Sequence, residues 1–180
     1  KNREPVEVVF YENNHGVLEG DPHKEGYYLS TAWAPAFSGA ATLDSFIKVL
    51  DAKTVTEGMD LFGRVETSWN WILADKSGNI GYQMSGLMPK RRKGISGFVP
   101  LPGWEEKNDW QGFEKPEDLP RCYNPECGYF VTTNQNLNAY GKVDPINVGM
   151  GPYRSDRIGK LLSQNNKITC EYMFKLHYDV

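Results

Sequence analysis

The stretch Trp69-Asn70-Trp71-Ile72-Leu73-Ala74-Asp75-Lys76-Ser77-Gly78-Asn79-Ile80-Gly81-Tyr82, continuing to Met88 and stopped by Pro89, sets the fold class. Trp69, Trp71 and Leu73 alternate with Asn70 and Ile72, the pattern of a strand with distinct faces. Asp75 to Asn79 is rich in turn formers, and Ile80 to Met88 supplies the returning strand. An antiparallel hairpin is therefore expected at the centre of the chain.

Upstream, Val6, Val8 and Phe10 alternate with Glu7, Val9 and Tyr11, which predicts a strand over 6–11 returned by Glu12-Asn13-Asn14-His15-Gly16 into Val17-Leu18. Tyr27 to Trp33 predicts another strand, interrupted afterwards by Pro35 and Gly39. A helix capped near Thr42 would place Leu43, Phe46, Ile47 and Leu50 on one buried face. Thr54 and Glu57 have capping-box spacing for a second helix carrying Val55, Met59 and Phe62, with Gly58 a weak point worth about 1 kcal/mol relative to alanine. From Pro100 to Pro125 an irregular connection is expected, packed by Trp104, Trp110 and Phe113 as core residues. Tyr129 to Val131 reads as a short buried strand ending in the amide-rich Asn134-Gln135-Asn136. Ile158, Leu161 and Leu162 mark a helix, and Thr169 caps a last one with Tyr172, Met173 and Leu176.

These patterns together predict an α+β domain of antiparallel hairpins and sheet with flanking helices. The length of 180 residues, with 39% hydrophobic and 13% aromatic content, suits a single unit over 1–180. A net charge of -3 gives no electrostatic basis for nucleic-acid binding. The one basic run, Lys90-Arg91-Arg92-Lys93, sits beside Gly94 and Gly97 and reads as a solvated loop. No apolar run approaches the ~20 residues that span a bilayer, so no membrane association is expected. Cys122 and Cys127 flank a turn and can pair if it brings their Cα atoms within ~7 Å, while Cys170 stands alone. His15, His23 and His177 show no ligand spacing with the cysteines, which speaks against zinc. Paired carboxylates, a phosphate-binding glycine loop and a nucleophile with a base at recognisable spacing are all missing from the pattern. Taken alone, Asn134 reads as a strand-end cap and Arg157 as a helix-surface charge.

Several short signatures follow one another along the chain. They are His15-Gly16, Ala74-Asp75 with Gly78-Asn79-Ile80-Gly81-Tyr82, Val99-Pro100-Leu101-Pro102-Gly103-Trp104, Trp110-Gln111-Gly112, and Asn124-Pro125 with Gly128-Tyr129. In that order they resemble the penicillin acylase (penicillin amidase) family of N-terminal nucleophile hydrolases, and Met173 to Val180 resembles a helix of the same family. The resemblance spans nearly the whole chain and implies part of an αββα core with a β-rich insertion.

It also implies function. Members cleave themselves, and the new N-terminal residue, usually serine, attacks an amide carbonyl with its own α-amino group as base. Asn134 falls on the family's oxyanion-hole asparagine, whose amide donates without titrating. Arg157, in Ser155-Asp156-Arg157, falls on the arginine that supports it. A shift of one or two residues would bring in Gln135 or Asn136 instead, and His15 stays a turn residue because the family needs no histidine. No cofactor is implied for the chemistry. A structural calcium occurs in many members, with Asp144 near one carboxylate ligand and the Gly97 backbone near a carbonyl ligand. A hard cation needs six to eight oxygens, so the other acids would lie elsewhere.

The chain, opening at Lys1 without a candidate nucleophile, is thus expected to be an internal piece of a large subunit that is inactive alone. Its partners would be the remainder of that subunit, the small subunit and an N-acyl amide substrate. A periplasmic or secreted location is implied by the family alone. The alternative is a non-catalytic binding or structural module derived from an acylase.

Overall fold

Thr54 accepts the amide of Glu57 at its hydroxyl while the Glu57 carboxylate takes the Thr54 amide at 3.2 Å, so the capping box read from sequence starts helix α2, Val55–Phe62. The computed structural model describes residues 4–37, 39–145 and 148–179. Lys1 and Val180, the ends of the chain, lie outside the described residues. Although composition suits a single unit, the chain gathers into two compact ones: Lys1–Phe37 with Pro89–Phe113, and Ser38–Met88 with Glu114–Val180. The class is α+β, as expected.

The first unit holds a three-stranded antiparallel sheet, β1 (Glu12–Asn13), β2 (Gly16–Glu19) and β3 (Leu29–Thr31), in sequence order. The hairpin turn falls where predicted, with Asn13 opposite Gly16. Its first strand is much shorter than 6–11. Val6, Val8, Val9 and Phe10 are all exposed and belong to no strand, since alternation supplies faces but no partner edge. The predicted strand over Tyr27–Trp33 likewise shrinks to β3. His15 is a turn residue whose Nε2 lies 2.9 Å from Asp109 Oδ1. Trp104 departs from the expected core role: it is 73% exposed, with its ring 6.0 Å from that of Tyr27. Trp110 does pack, against Phe113 and under the Arg91 guanidinium, and the rest of the basic run is exposed as a solvated loop.

The second unit contains the core. Strands β4 (Asn70–Ala74) and β5 (Ile80–Met84) form the predicted central hairpin, and β6 (Arg121–Tyr123) adds to the other edge of β5. Asp75 organises the turn by accepting the Asn79 side-chain amide and the backbone amides of Asn79 and Ser77, and these bonds, the Asn79 side chain's first, hold its carboxyl below the usual range. Helix α2 lies against the hairpin, burying Val55 and Met59, and Phe62 stacks on Trp71 with ring centroids 4.0 Å apart. Gly58 faces the hairpin too, where an added Cβ would meet only the end of the Leu73 side chain, Cδ2 at 2.4 Å.

Helix α1 spans Ala40–Lys48 with Gly39 at its N-cap, not Thr42. Thr42 is instead one turn in, where its hydroxyl and amide both donate to the buried Glu66 carboxylate. The predicted buried face is also rotated: Phe46 packs against Phe62, Trp69 and Trp71, and Ser45 is buried, whereas Leu43, Ile47 and Leu50 are exposed. Helices α3 (Tyr153–Ser163) and α4 (Cys170–Leu176) end the chain, the latter capped by Thr169 as expected. Tyr129–Val131 is not a strand. The segment is tethered instead by its Tyr129 hydroxyl to the Gly159 carbonyl of α3 at 3.3 Å.

Candidate active site around Asn134 and Arg154

The path to Asn134 begins at Asn124. This residue has φ 45°, which an asparagine tolerates, and it clamps the end of β6 to the central hairpin. Its Oδ1 accepts the Ile80 amide at 2.9 Å and its Nδ2 donates to Asn79 Oδ1 at 2.9 Å. The Gly128 amide then closes a turn on the Pro125 carbonyl at 2.8 Å, and the chain runs along α3 through Tyr129 to Thr133.

Asn134 ends that run in the left-handed region, at φ 69°. For a residue with a Cβ this is sparsely populated, and such conformations persist where surrounding bonds hold them. Those bonds are present. The Asn134 carbonyl accepts the Met150 amide at 2.8 Å. The Arg154 guanidinium donates Nη2–H to Asn134 Oδ1 at 2.9 Å and to the Thr133 carbonyl at 2.6 Å. Arginine carries donors only, so it dictates which end of the amide faces it: Oδ1 is held and Nδ2 is turned away. Among the described residues no acceptor engages Nδ2, and Asn134 is exposed. The result is a fixed neutral N–H donor beside a buttressing cation.

Arg154 stands in the first turn of α3, next to the positive end of the helix dipole. A cation there is unfavourable by some tenths of a kcal/mol, so its acceptors, not the helix, account for its position.

Arg157 does not take part in this arrangement, contrary to the sequence assignment. One turn further along α3, its Nε and Nη2 donate to both carboxylate oxygens of Asp179 at 2.6 and 2.7 Å. This fork raises the Arg157 pKa and lowers that of Asp179, in each case chiefly through the side-chain hydrogen bond. Arg157 thereby ties α3 to the residue just past α4. The Ser155-Asp156-Arg157 motif points one turn beyond Arg154, the arginine that contacts Asn134. The available signal was an arginine two residues after Pro152, in a first turn where a basic residue has no local reason to be.

The alternative donors have structural work. Gln135 Oε1 accepts the Thr133 amide at 2.6 Å and its Nε2 donates to the Val131 carbonyl at 2.6 Å, so its amide braces the loop. Asn136 Oδ1 accepts the Asn138 amide at 2.8 Å and opens a short 3-10 turn. A cavity of about 170 Å³ lies beside the site, lined by Tyr82, Cys127, Phe130, Thr132, Tyr140 and Ser155 among others.

Asp144 is exposed, and among the described residues no group of three or more His, Cys, Asp or Glu side chains is placed to hold a metal. A lone carboxylate falls short of the six to eight oxygens calcium requires, so these residues do not fit a calcium site by themselves. No described helix is long and apolar enough to cross a membrane.

A family model described as penicillin amidase matches residues 1–180. An acyl-homoserine lactone acylase of Pseudomonas fluorescens (strain Pf0-1) is 30% identical over 99% of the chain, which covers 22% of that protein. The penicillin G acylase of Escherichia coli is 29% identical over 95% of the chain, covering 20% of that protein. The chain therefore spans about a fifth of the length of these relatives. A solved structure, the thermostable penicillin G acylase from Alcaligenes faecalis, superposes with a TM-score of 0.82 at 22% identity, over 99% of this chain and 32% of that one, and shares its fold. The chain belongs to the penicillin amidase family.

Proposed function

We propose that this chain supplies the oxyanion donor of an acylase that hydrolyses an N-acyl amide, with Asn134 as the donor and Arg154 as the residue that positions it. The observation that carries the reading is the contact between Arg154 and Asn134 Oδ1, which leaves Nδ2 as an outward donor on a backbone held at the Thr133 and Asn134 carbonyls. A nucleophile outside this chain, an N-terminal serine or its equivalent, attacks the substrate carbonyl carbon. The carbonyl π pair moves onto oxygen, and the resulting oxyanion accepts the Nδ2–H. Collapse expels the amine, leaving an acyl-enzyme that water then hydrolyses. A donor already aimed at the developing charge stabilises the transition state without reorganisation, and each such donor is worth about 3 kcal/mol of barrier. The substrate class follows the named relatives: the side-chain amide of a β-lactam or the amide of an acyl-homoserine lactone.

The test uses the full-length protein. Asn134→Ala is expected to lower kcat by about 10²–10³-fold with little change in KM, since the interaction forms only as charge develops. Unchanged turnover in a correctly folded variant rejects the role of Asn134.

A further inference from the structure

We propose that Cys122 and Cys127 are a disulfide-forming pair, closed by a low-molecular-weight disulfide oxidant, which braces the turn from which the Asn134 segment departs. All three cysteines are reduced in the structure, Cys122 half-buried and Cys127 and Cys170 exposed. The β5–β6 register places Cys122 directly opposite Tyr82. Residues directly opposed in an antiparallel pair project to the same face, with Cβ atoms about 4.5–5.5 Å apart. Tyr82 and Cys127 in turn line the same cavity. Cys122 and Cys127 are thus both neighbours of Tyr82, the first through the strand register and the second through the cavity.

The chain between them is shaped to do this. Asn124 in the left-handed region turns the backbone out of β6, the Gly128 amide bound to the Pro125 carbonyl closes a turn between the two cysteines, and the Cys127 thiol donates to the Tyr129 carbonyl at 3.3 Å. Tyr140, whose ring centroid lies 5.9 Å from that of Tyr82, completes the cluster. Burial first, and then both thiols, push its ionisation up. The Cys122 thiol is also pushed up, by burial and then by Cys127.

Exposure orders the chemistry. The Cys127 thiolate attacks one sulfur of a disulfide such as oxidised glutathione, forming a mixed disulfide and releasing one glutathione thiolate, which takes up a proton. The Cys122 thiolate then attacks the Cys127 sulfur and expels the second glutathione. In sum, the protein's two thiols lose two electrons and two protons, and one glutathione disulfide becomes two thiols. The new bond closes a ring around Asn124-Pro125, immediately before the Tyr129–Asn134 run.

The experiment equilibrates the full-length protein in glutathione redox buffers, alkylates remaining thiols and maps the products by proteolysis and mass spectrometry. The expected result is a Cys122–Cys127 cross-linked peptide, with Cys170 the one of these three cysteines left free. Cys122→Ser is expected to stall as a glutathione adduct on Cys127. Amide exchange over residues 129–134 is expected to slow on oxidation and recover with reductant. Independent glutathione adducts on Cys122 and Cys127 under conditions that modify Cys170 would overturn the pairing, and unchanged amide exchange in the oxidised chain would overturn the brace.

Discussion

Arg154 donates to Asn134 Oδ1 across 2.9 Å while also holding the Thr133 carbonyl, so one guanidinium fixes both the side chain and the preceding peptide of the candidate donor. Both bonds leave Nη2, and the planar guanidinium fixes their directions where lysine offers a rotating ammonium on a flexible stem.

It follows that in the full-length protein the two arginines of α3 are expected to separate cleanly. Arg154→Ala is expected to reduce kcat by about 10²-fold through loss of donor orientation, with Arg154→Lys recovering only part of it. Arg157→Ala leaves kcat near that of the parent, because its guanidinium is engaged with Asp179. Steady-state kinetics on the three variants checks this, and equal losses from Arg154→Ala and Arg157→Ala would refute the division of roles.

The pair between Arg157 and Asp179 predicts an acid-sensitive chain end. The Asp179 carboxyl titrates lower when folded than when unfolded, so its contribution is fully present above the unfolded value of about 3.9 and is lost as pH falls through the folded one. Both groups are exposed, so the effect is local fraying of α4, not global unfolding. Protection of the α4 amides, referred to their intrinsic exchange rates at each pH, is expected to fall on acidification below about pH 4. Asp179→Asn should exchange faster at neutral pH and lose that acid dependence. A variant that keeps the same acid dependence would assign it to another group.

The sequence was most legible where a few neighbouring residues close their own interactions. The Thr54–Glu57 capping box, the Asp75–Asn79 turn and the Thr169 cap are all completed within a few positions, and all three appear in the structure. Strand β6 was missed because Arg121-Cys122-Tyr123 is a strand only through its distant partner β5. At the candidate site, the motif singles out Asn134 but not the arginine that meets it, since Arg154 and Arg157 share a helix face and the approach of Met150 and the loop before α3 decides between them.

Helix α1 shows the same limit as energetics. Periodicity identified Leu43, Phe46, Ile47 and Leu50 as an apolar set, but only Phe46 has aromatic partners here, while Leu43 and Ile47 are 66% and 70% exposed. In this chain, Leu43→Ser and Ile47→Ser are each expected to shift stability by no more than about 0.5 kcal/mol. Phe46→Ala should cost about 2–3 kcal/mol, at or below the low end for a fully buried ring. Urea titrations of the three variants test the ranking, and a large loss at Ile47 would show that the apolar face is covered.

Gly81 sets the closest approach of the central hairpin to α2, and this is the point where packing tolerates least. A Cβ there would lie 2.4 Å from Val55 Cγ1 and 2.6 Å from Met59 Sδ, and both neighbours are almost fully buried. Val55 is β-branched and stiff at χ1, and it sits in the capped first turn of α2, so neither its rotamer nor its backbone yields easily. Gly58 presents the opposite balance. Its added methyl meets the end of the Leu73 side chain, which can change rotamer, and alanine in a helix recovers up to about 1 kcal/mol of propensity. Gly81→Ala is therefore expected to destabilise the chain by about 1–3 kcal/mol, the usual range for overpacking, with Gly58→Ala close to neutral. Equilibrium denaturation of the two variants decides the matter: equal losses would mean that Leu73 is as fixed as Val55, and a neutral Gly81→Ala would mean that α2 is free to move away from β5.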